Sequence, residues 1–183
     1  YQKFSRSKKI YWFTNKIIPA EFRKTIEVSL WHDPELNRVR IQFLVMKWKW
    51  FHSSALPHPL TFFLPKRWRC YIIIISNESK DEIAHGLLKN LSEKHQIWIL
   101  WHELAHILDY ENKNLLQISQ ILQWYLKKTK RKHFENSIDI LAIKHGIWPY
   151  LHGFYTHLIS KHSQHTEHFM KNYLSDEEIK RLT

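Results

Sequence analysis

The spacing of hydrophobic and polar positions changes from a period of two in the first half of the chain to a helical period in the second half. Hydrophobic and polar residues alternate over residues 38–51, which predicts a strand or a long bent hairpin arm. Residues 68–76 contain an uninterrupted β-branched run that is typical of a buried strand. A further short strand is predicted at residues 61–64, and residues 53–59, with two prolines, are predicted to form a loop.

Hydrophobic positions at helical spacing predict helices along most of the remaining chain. A short helix follows Pro19, and the most apolar helical pattern covers residues 94–110. Gly146 and Pro149 mark the end of a later helix. The other predicted helices cover residues 80–91, 115–128, 133–145 and 151–171. Strands first and helices afterwards predict an α+β fold, in which helices pack on one side of a small mixed or antiparallel sheet.

The length and composition fit one domain over residues 1–183, with a sheet-rich part at 1–93 and a helical part at 94–183. A hydrophobic fraction of 44% and only 3 glycines exclude a disordered or low-complexity chain. The one cysteine, Cys70, excludes an intramolecular disulfide, and no signal peptide or membrane-spanning run is visible. This favours a cytoplasmic location; the sequence begins at Tyr1, so a trimmed leader stays open.

A formal net charge of +11 favours acidic partners such as nucleic acid or an anionic membrane surface. The charges are scattered, however, and the dense run from Lys127 to Lys132 is expected to be a solvated loop between helices. Trp48 and Trp50 alternate with lysines and suit a membrane surface or base stacking, but a strand with one aromatic face in the core is the simpler interpretation. Histidines recur every three residues near the end of the chain, at His162, His165 and His168. They are expected to form an exposed polar helix face rather than a second metal site.

A metal-binding motif lies inside the apolar helix predicted at residues 94–110. His102 and His106 are four positions apart, so both imidazoles can point at one spot on the same helix face. Glu103 follows the first histidine, where its carboxylate can reach a water molecule on the metal. Because the surrounding residues are nearly all apolar, these polar groups would be costly to bury without a partner. The motif therefore predicts a zinc ion held by both histidines, with Glu103 as the catalytic base.

A catalytic zinc ion usually has three protein ligands, so a third must come from elsewhere in the chain. Tyr110 stands where another histidine would follow one helical turn later, and the helix carries Asp109 away from the metal. Glu135 is the favoured third ligand because it shares a helix face with Asp139, four residues later. Asp139 is then expected to accept the N–H of a ligating imidazole, which fixes its tautomer. The alternative is that both acids are solvated surface residues.

The His-Glu-x-x-His motif, followed on a later helix by Glu-x-x-x-Asp, resembles the gluzincin class of zincin metallopeptidases over about residues 94–146. The resemblance implies a zincin-like fold, Zn²⁺ as cofactor, and hydrolysis of a peptide or protein substrate. The site residues that it implies are the ligands His102, His106 and Glu135, the base Glu103 and the supporting residue Asp139. The gap before Glu135 is longer than in the thermolysin-like branch and would hold an extra helix. Similarity to Spartan-like DNA-repair proteases is poorer, because Tyr110 replaces their third histidine.

An oxyanion partner and a substrate-binding edge would complete such an enzyme. The oxyanion candidates lie beyond the last ligand helix, with Tyr155 and His157 favoured over Tyr150 and His152. The strand at residues 71–76 resembles the zincin sheet edge that pairs with an extended substrate. Two alternatives stay open. One is a basic module that binds nucleic acid or a membrane surface, with a structural metal or none; the other is a zinc hydrolase of non-peptide substrates.

Overall fold

The computed structural model describes residues 15–47, 53–78, 86–125 and 127–145. This part of the chain forms an α+β fold with a small mixed sheet and four α-helices. The strands are β1 (Lys16–Ile17), β2 (Arg40–Met46), β3 (Ser53–Pro57) and β4 (Cys70–Ser76). The α-helices are α1 (Arg23–Trp31), α2 (Glu93–Glu111), α3 (Leu115–Trp124) and α4 (Lys128–Lys144). None of the described helices combines the length and the apolar character that crossing a bilayer requires.

The sheet has the strand order β1-β2-β4-β3. β1, β2 and β4 run parallel, whereas β3 lies at one edge and is antiparallel to β4. One face is buried, because successive residues of a strand point to opposite sides and alternate positions are apolar. The side chains on this face include Ile41, Phe43, Tyr71, Ile73 and Ile75. The other face is only partly covered within the described residues, since Leu44 and Met46 on β2 are exposed.

Helix α2 packs into the same hydrophobic core as the buried sheet face and contacts α1, β3 and α4. It begins after Ser92, whose Oγ accepts a hydrogen bond from the backbone N–H of His95. Nearly all of its residues from Ile97 to Tyr110 are buried. A helix that is apolar on most of its circumference has to be covered on several sides, and its central position provides that cover.

Several predicted elements are confirmed with shifted ends. The patterns at residues 38–51 and 68–76 are β2 and β4, and the pattern after Pro19 is α1. The last described helix, α4, begins at Lys128 rather than His133, so the prediction that the basic run is a loop is wrong: it forms the first turns of α4. The broad arrangement is as predicted: the short helix after Pro19 is α1, and α2, α3 and α4 follow the strands.

Two predictions between β2 and β4 are wrong. The predicted loop at residues 53–59 contains β3, which accommodates Pro57 because an edge strand leaves one side of its backbone unpaired. The predicted strand at residues 61–64 is instead a series of turns closed by backbone hydrogen bonds from Thr61 to His58 and from Leu64 to Thr61. These residues have no neighbouring strand to pair with among the described residues.

The expectation that β4 forms the substrate-binding edge of the sheet is wrong as well. β4 is paired on both sides, with β2 and with β3, so its backbone is not available to another chain. The edge next to α2 is β3. The helix predicted at residues 80–91 is a 3-10 turn at Leu88–Asn90 where it is described. Its first part, the helix at 151–171 and both Trp48 and Trp50 lie outside the described residues.

Candidate metal centre

His102 and His106 occupy one face of α2 and are both buried. Their neighbours in the helix, Trp101, Leu104 and Ala105, have no solvent exposure, so the two imidazoles lie in an apolar environment. The rings are close together, with centroids 4.9 Å apart. The helix therefore aims both side chains at the same place, as the spacing of the motif predicts.

Glu135 on α4 completes a compact group with the two histidines. Nε2 of His102 and Nε2 of His106 are 3.2 Å apart. Oε2 of Glu135 lies 3.2 Å from Nε2 of His102 and 3.4 Å from Nε2 of His106. Three potential ligand atoms thus form a nearly equilateral triangle, built by two helices that are distant in sequence. Within the described residues, no other group of three or more His, Cys, Asp or Glu side chains converges in this way.

The size of this triangle matches the spacing of ligands around a tetrahedral zinc ion. In a regular tetrahedron, ligands about 2.0–2.1 Å from the metal stand roughly 3.3–3.4 Å from one another. The observed separations of 3.2, 3.2 and 3.4 Å agree with this value. Two nitrogens and one carboxylate oxygen are also a donor set that zinc accepts, with a fourth position left for another ligand. The residues therefore fit a divalent cation in both spacing and chemistry.

Asp139 is held against the far side of His102, one helical turn after Glu135 on α4. Its Oδ1 lies 3.1 Å from Nδ1 of His102, and the carboxylate is fully buried. A carboxylate accepts, so Nδ1 carries the hydrogen and Nε2 presents its lone pair to the triangle. Burial would lower the pKa of His102, but the hydrogen bonds and charges of Asp139 and Glu135 outweigh it and raise that pKa well above its ordinary value, so a proton and a cation compete for Nε2.

Tyr125, directly after α3, fixes the second oxygen of Glu135. Its hydroxyl donates a hydrogen bond of 2.8 Å to Oε1, which leaves Oε2 directed at the histidines. Burial, followed by the charge of Glu135, raises the pKa of Tyr125, so the phenol keeps its proton. Burial would also raise the pKa of Glu135, but His106 and His102 outweigh it and hold that pKa far below the ordinary carboxyl value. The carboxylate is therefore ionised, and one of its oxygens, Oε2, points at the two histidines.

His106 is positioned by ring packing rather than by a hydrogen bond to its far nitrogen. Its ring stacks on Tyr110 with centroids 6.3 Å apart and lies 5.3 Å from the ring of Phe134. Nδ1 is buried and has no hydrogen-bond partner within the described part of the chain. The two histidines are thus held differently, one by a carboxylate and the other by aromatic contacts.

Glu103 is buried between α2 and the edge strand β3. The hydroxyl of Ser53, the first residue of β3, donates a hydrogen bond of 2.6 Å to its Oε1. The carboxylate belongs to the same helical turn as His102 but is not a member of the ligand triangle. Its partner therefore comes from the sheet, whereas the residues that support the triangle, Tyr125 and Asp139, come from the end of α3 and from α4.

Sequence reasoning missed Ser53 and Tyr125, since nothing in the local pattern links either residue to the motif. Asp109, weighed as an alternative ligand, forms an ion pair with Lys113 and is not part of the triangle. The oxyanion candidates and the histidine stripe lie outside the described residues: Tyr150, His152, Tyr155, His157, His162, His165 and His168.

No family model, curated protein or solved structure matches this chain. A functional proposal therefore depends on the chemistry of the side chains themselves.

Proposed function

We propose that this chain binds one zinc ion through His102, His106 and Glu135 and hydrolyses peptide bonds, with Glu103 as the general base. The observation that carries the proposal is the triangle of ligand atoms with sides of 3.2, 3.2 and 3.4 Å. Lone pairs converging at these separations in a buried site repel one another unless a cation or a proton lies between them. Zinc satisfies all three atoms at once and leaves one position open.

The bound cation would act as a Lewis acid towards a substrate carbonyl and lower the pKa of a water molecule at the open position. Glu103 would accept the proton of that water and later deliver it to the leaving amine. The hydrogen bond from Ser53 holds one carboxylate oxygen of Glu103, which leaves the other free for this transfer. Asp139 and Tyr125 keep His102 and Glu135 in the orientations that direct their ligand atoms inward.

The edge strand β3 favours a peptide over a small molecule as substrate. Among the described residues β3 pairs with β4 alone, so the other side of its backbone can pair with an extended peptide. The same strand contacts α2 and begins at Ser53, the partner of Glu103. A peptide added to this edge would thus pass beside the proposed base. A zinc hydrolase of non-peptide substrates would make no use of the edge.

The main alternative is a buried ion network without metal or activity. In that case a proton replaces the cation, His102 is charged, and Asp139 and Glu135 neutralise it. The raised pKa of His102 is compatible with this arrangement. A basic binding module with this network as a structural element would need neither zinc nor Glu103.

Metal analysis of the purified chain separates these alternatives. We expect about one zinc per chain, and loss of that zinc in His102→Ala and Glu135→Ala. His133→Ala serves as a matched control, because His133 is an exposed histidine on α4 outside the triangle. Absence of zinc from the wild-type chain, even after addition of excess zinc, would overturn the proposal.

Hydrolysis is then tested on the zinc-loaded chain with a peptide library read by mass spectrometry. Glu103→Gln should keep its zinc and lose cleavage by a factor on the order of a hundred or more. Glu93→Gln, an exposed substitution of the same type on α2, should cleave like the wild type. Undiminished cleavage by Glu103→Gln would refute the assigned base.

A further inference from the structure

The connection between β3 and β4 carries the most exposed apolar side chains of the described residues. Leu60 is 85% exposed and Phe63 is 78% exposed, and Leu64 and Trp68 are exposed as well. Single exposed apolar residues are ordinary on a protein surface. Four of them in one short loop are a concentration of exposed apolar surface, and such concentrations mark surfaces that a binding partner covers.

This loop, residues 58–69, is held in a fixed shape by its own hydrogen bonds. The backbone N–H of His58 donates to the carbonyl of Cys70 over 2.9 Å and closes its ends. The hydroxyl of Thr61 accepts from the backbone N–H of Cys70 over 2.9 Å. The guanidinium of Arg69 donates to the carbonyl of Leu64 over 3.2 Å. The apolar residues are therefore held in an ordered loop, although exposing apolar side chains to water is unfavourable.

The charges of the loop and of its flanking sequence have one sign, although Glu111 on α2 lies beside the loop, with its Oε2 3.8 Å from Nζ of Lys66. No acidic residue occurs between Glu35 and Glu78 in the sequence. The same stretch contains these basic residues: Arg38, Arg40, Lys47, Lys49, Lys66, Arg67 and Arg69. Two of them lie on the ring of Trp68, with the guanidinium carbon of Arg40 5.2 Å and that of Arg67 5.8 Å from the ring centroid. An apolar patch is thus bordered by cations.

We propose that the loop at residues 58–69 docks the protein onto an anionic lipid surface. Leu60, Phe63 and Leu64 would enter the boundary between the headgroups and the acyl chains. Trp68, together with the arginines on its ring, would lie at headgroup level, where indole and guanidinium groups find both apolar and negatively charged neighbours. The proposal needs neither the zinc ion nor hydrolysis.

The aliphatic residues favour lipid over a nucleic acid. Binding of single-stranded nucleic acid uses aromatic rings for stacking and cations for phosphates, and it would leave Leu60 and Leu64 in water. A lipid surface has hydrocarbon directly beneath negatively charged headgroups. The apolar residues can therefore enter the hydrocarbon while the bordering cations stay at the headgroups. Binding to nucleic acid or to an acidic protein is an alternative outcome of the test.

The test is sedimentation of the full chain with lipid vesicles. Vesicles of phosphatidylcholine containing about one third phosphatidylserine should bind the chain at least about tenfold more tightly than phosphatidylcholine alone. Added salt should weaken that binding, because the headgroup charges are screened. Equal binding to both vesicles, or no binding to either, would overturn the proposal. Tight binding to single-stranded nucleic acid without vesicle binding would identify the other partner.

Matched variants locate the binding surface. The double variant Leu60→Ser with Phe63→Ser should lose roughly tenfold or more in vesicle affinity. The control Leu116→Ser removes a side chain that is 77% exposed on α3, outside the loop, and should bind as the wild type does. Lys66→Gln with Arg67→Gln should lose about fivefold for each charge removed.

The charge control is Arg23→Gln with Lys24→Gln on α1, which should leave vesicle binding unchanged. If the control double variant loses as much affinity as the loop double variant, the binding is a property of the net charge. The assignment of the loop would then be wrong. Circular dichroism of each variant establishes that the exposed substitutions leave the fold intact.

Discussion

The hydroxyl of Ser53 lies 2.6 Å from Oε1 of Glu103 and joins the edge strand to the helix of the metal motif across 50 residues of sequence. A hydrogen bond to a charged group orients it and is stronger than a bond between neutral groups. One oxygen of the proposed base is therefore fixed before any substrate arrives. This relationship distinguishes Glu103 from an acid that only happens to follow a histidine.

Ser53→Ala should lower the rate of peptide cleavage while leaving zinc content unchanged. Loss of a hydrogen bond to a carboxylate corresponds to a decrease of roughly tenfold in kcat, because the base is less well oriented. The control is Ser54→Ala, which removes the next hydroxyl on the same strand. Equal decreases in both variants would assign the effect to the strand rather than to Glu103.

Tyr125→Phe should weaken zinc binding by about tenfold to a hundredfold, the range found when a group that supports a metal ligand is removed. The phenol is the partner of Oε1 of Glu135, and without it the carboxylate can rotate away from the histidines. Tyr71→Phe is the matched control, because that hydroxyl donates to Glu111 instead. Competition with a zinc-binding dye measures both affinities. Similar losses in the two variants would contradict the positioning role.

Glu135→Ala should weaken zinc binding far more than Asp109→Ala. Oε2 of Glu135 belongs to the triangle, whereas Asp109 is paired with Lys113. Removal of one of three ligands is expected to cost on the order of a hundredfold or more in affinity, whereas the Asp109 substitution should cost less than about threefold. The same dye competition serves here. The opposite order would show that the third ligand is misassigned.

Asp33→Asn should change the pH dependence of stability. Asp33 is fully buried, with Oδ1 2.9 Å from Nδ1 of His145, and burial raises its pKa to about 6 in spite of the opposing charge of that histidine. The folded state therefore binds this proton more tightly than the unfolded state. The resulting stabilisation is complete below the ordinary pKa near 4 and is lost as the pH rises through about 6.

Urea unfolding at several pH values checks this expectation. The free energy of unfolding of Asp33→Asn, relative to wild type, should increase by roughly 2–3 kcal/mol between pH 4 and pH 7, because the amide does not ionise. Glu21→Gln, an exposed substitution of an acid that does not contribute to the pKa shift of Asp33, should keep a constant difference from wild type. A pH-independent difference for Asp33→Asn would mean that the carboxyl group titrates normally.

The ligand set could be anticipated from the sequence because each part of it has a helical period. His102 and His106 share a face of α2, and Glu135 and Asp139 share a face of α4. Buried acids and imidazoles need partners, so the two faces are expected to pack against each other. The structure brings these four side chains together.

Contacts between distant elements could not be anticipated in the same way. Ser53 reaches Glu103 because β3 packs against α2, whereas the two prolines of that segment predict a loop. Tyr125 follows α3, whose position against α4 is set by packing rather than by periodicity. The apolar residues at 61–64 indicated a strand, but a strand needs a neighbour, and none is paired with them in the described sheet.

The five residues of β3 set the distance between the proposed base and the loop at residues 58–69. At one end Ser53 contacts Glu103, and at the other end Pro57 leads into the loop at residues 58–69. A strand of this length spans about 17 Å. If the loop rests on lipid while a peptide lies along β3, the bond that is cut would be separated from the loop by no more than about this length. The distance of a segment from the membrane surface, and not only its side chains, would then decide whether a membrane-attached polypeptide can be cleaved there.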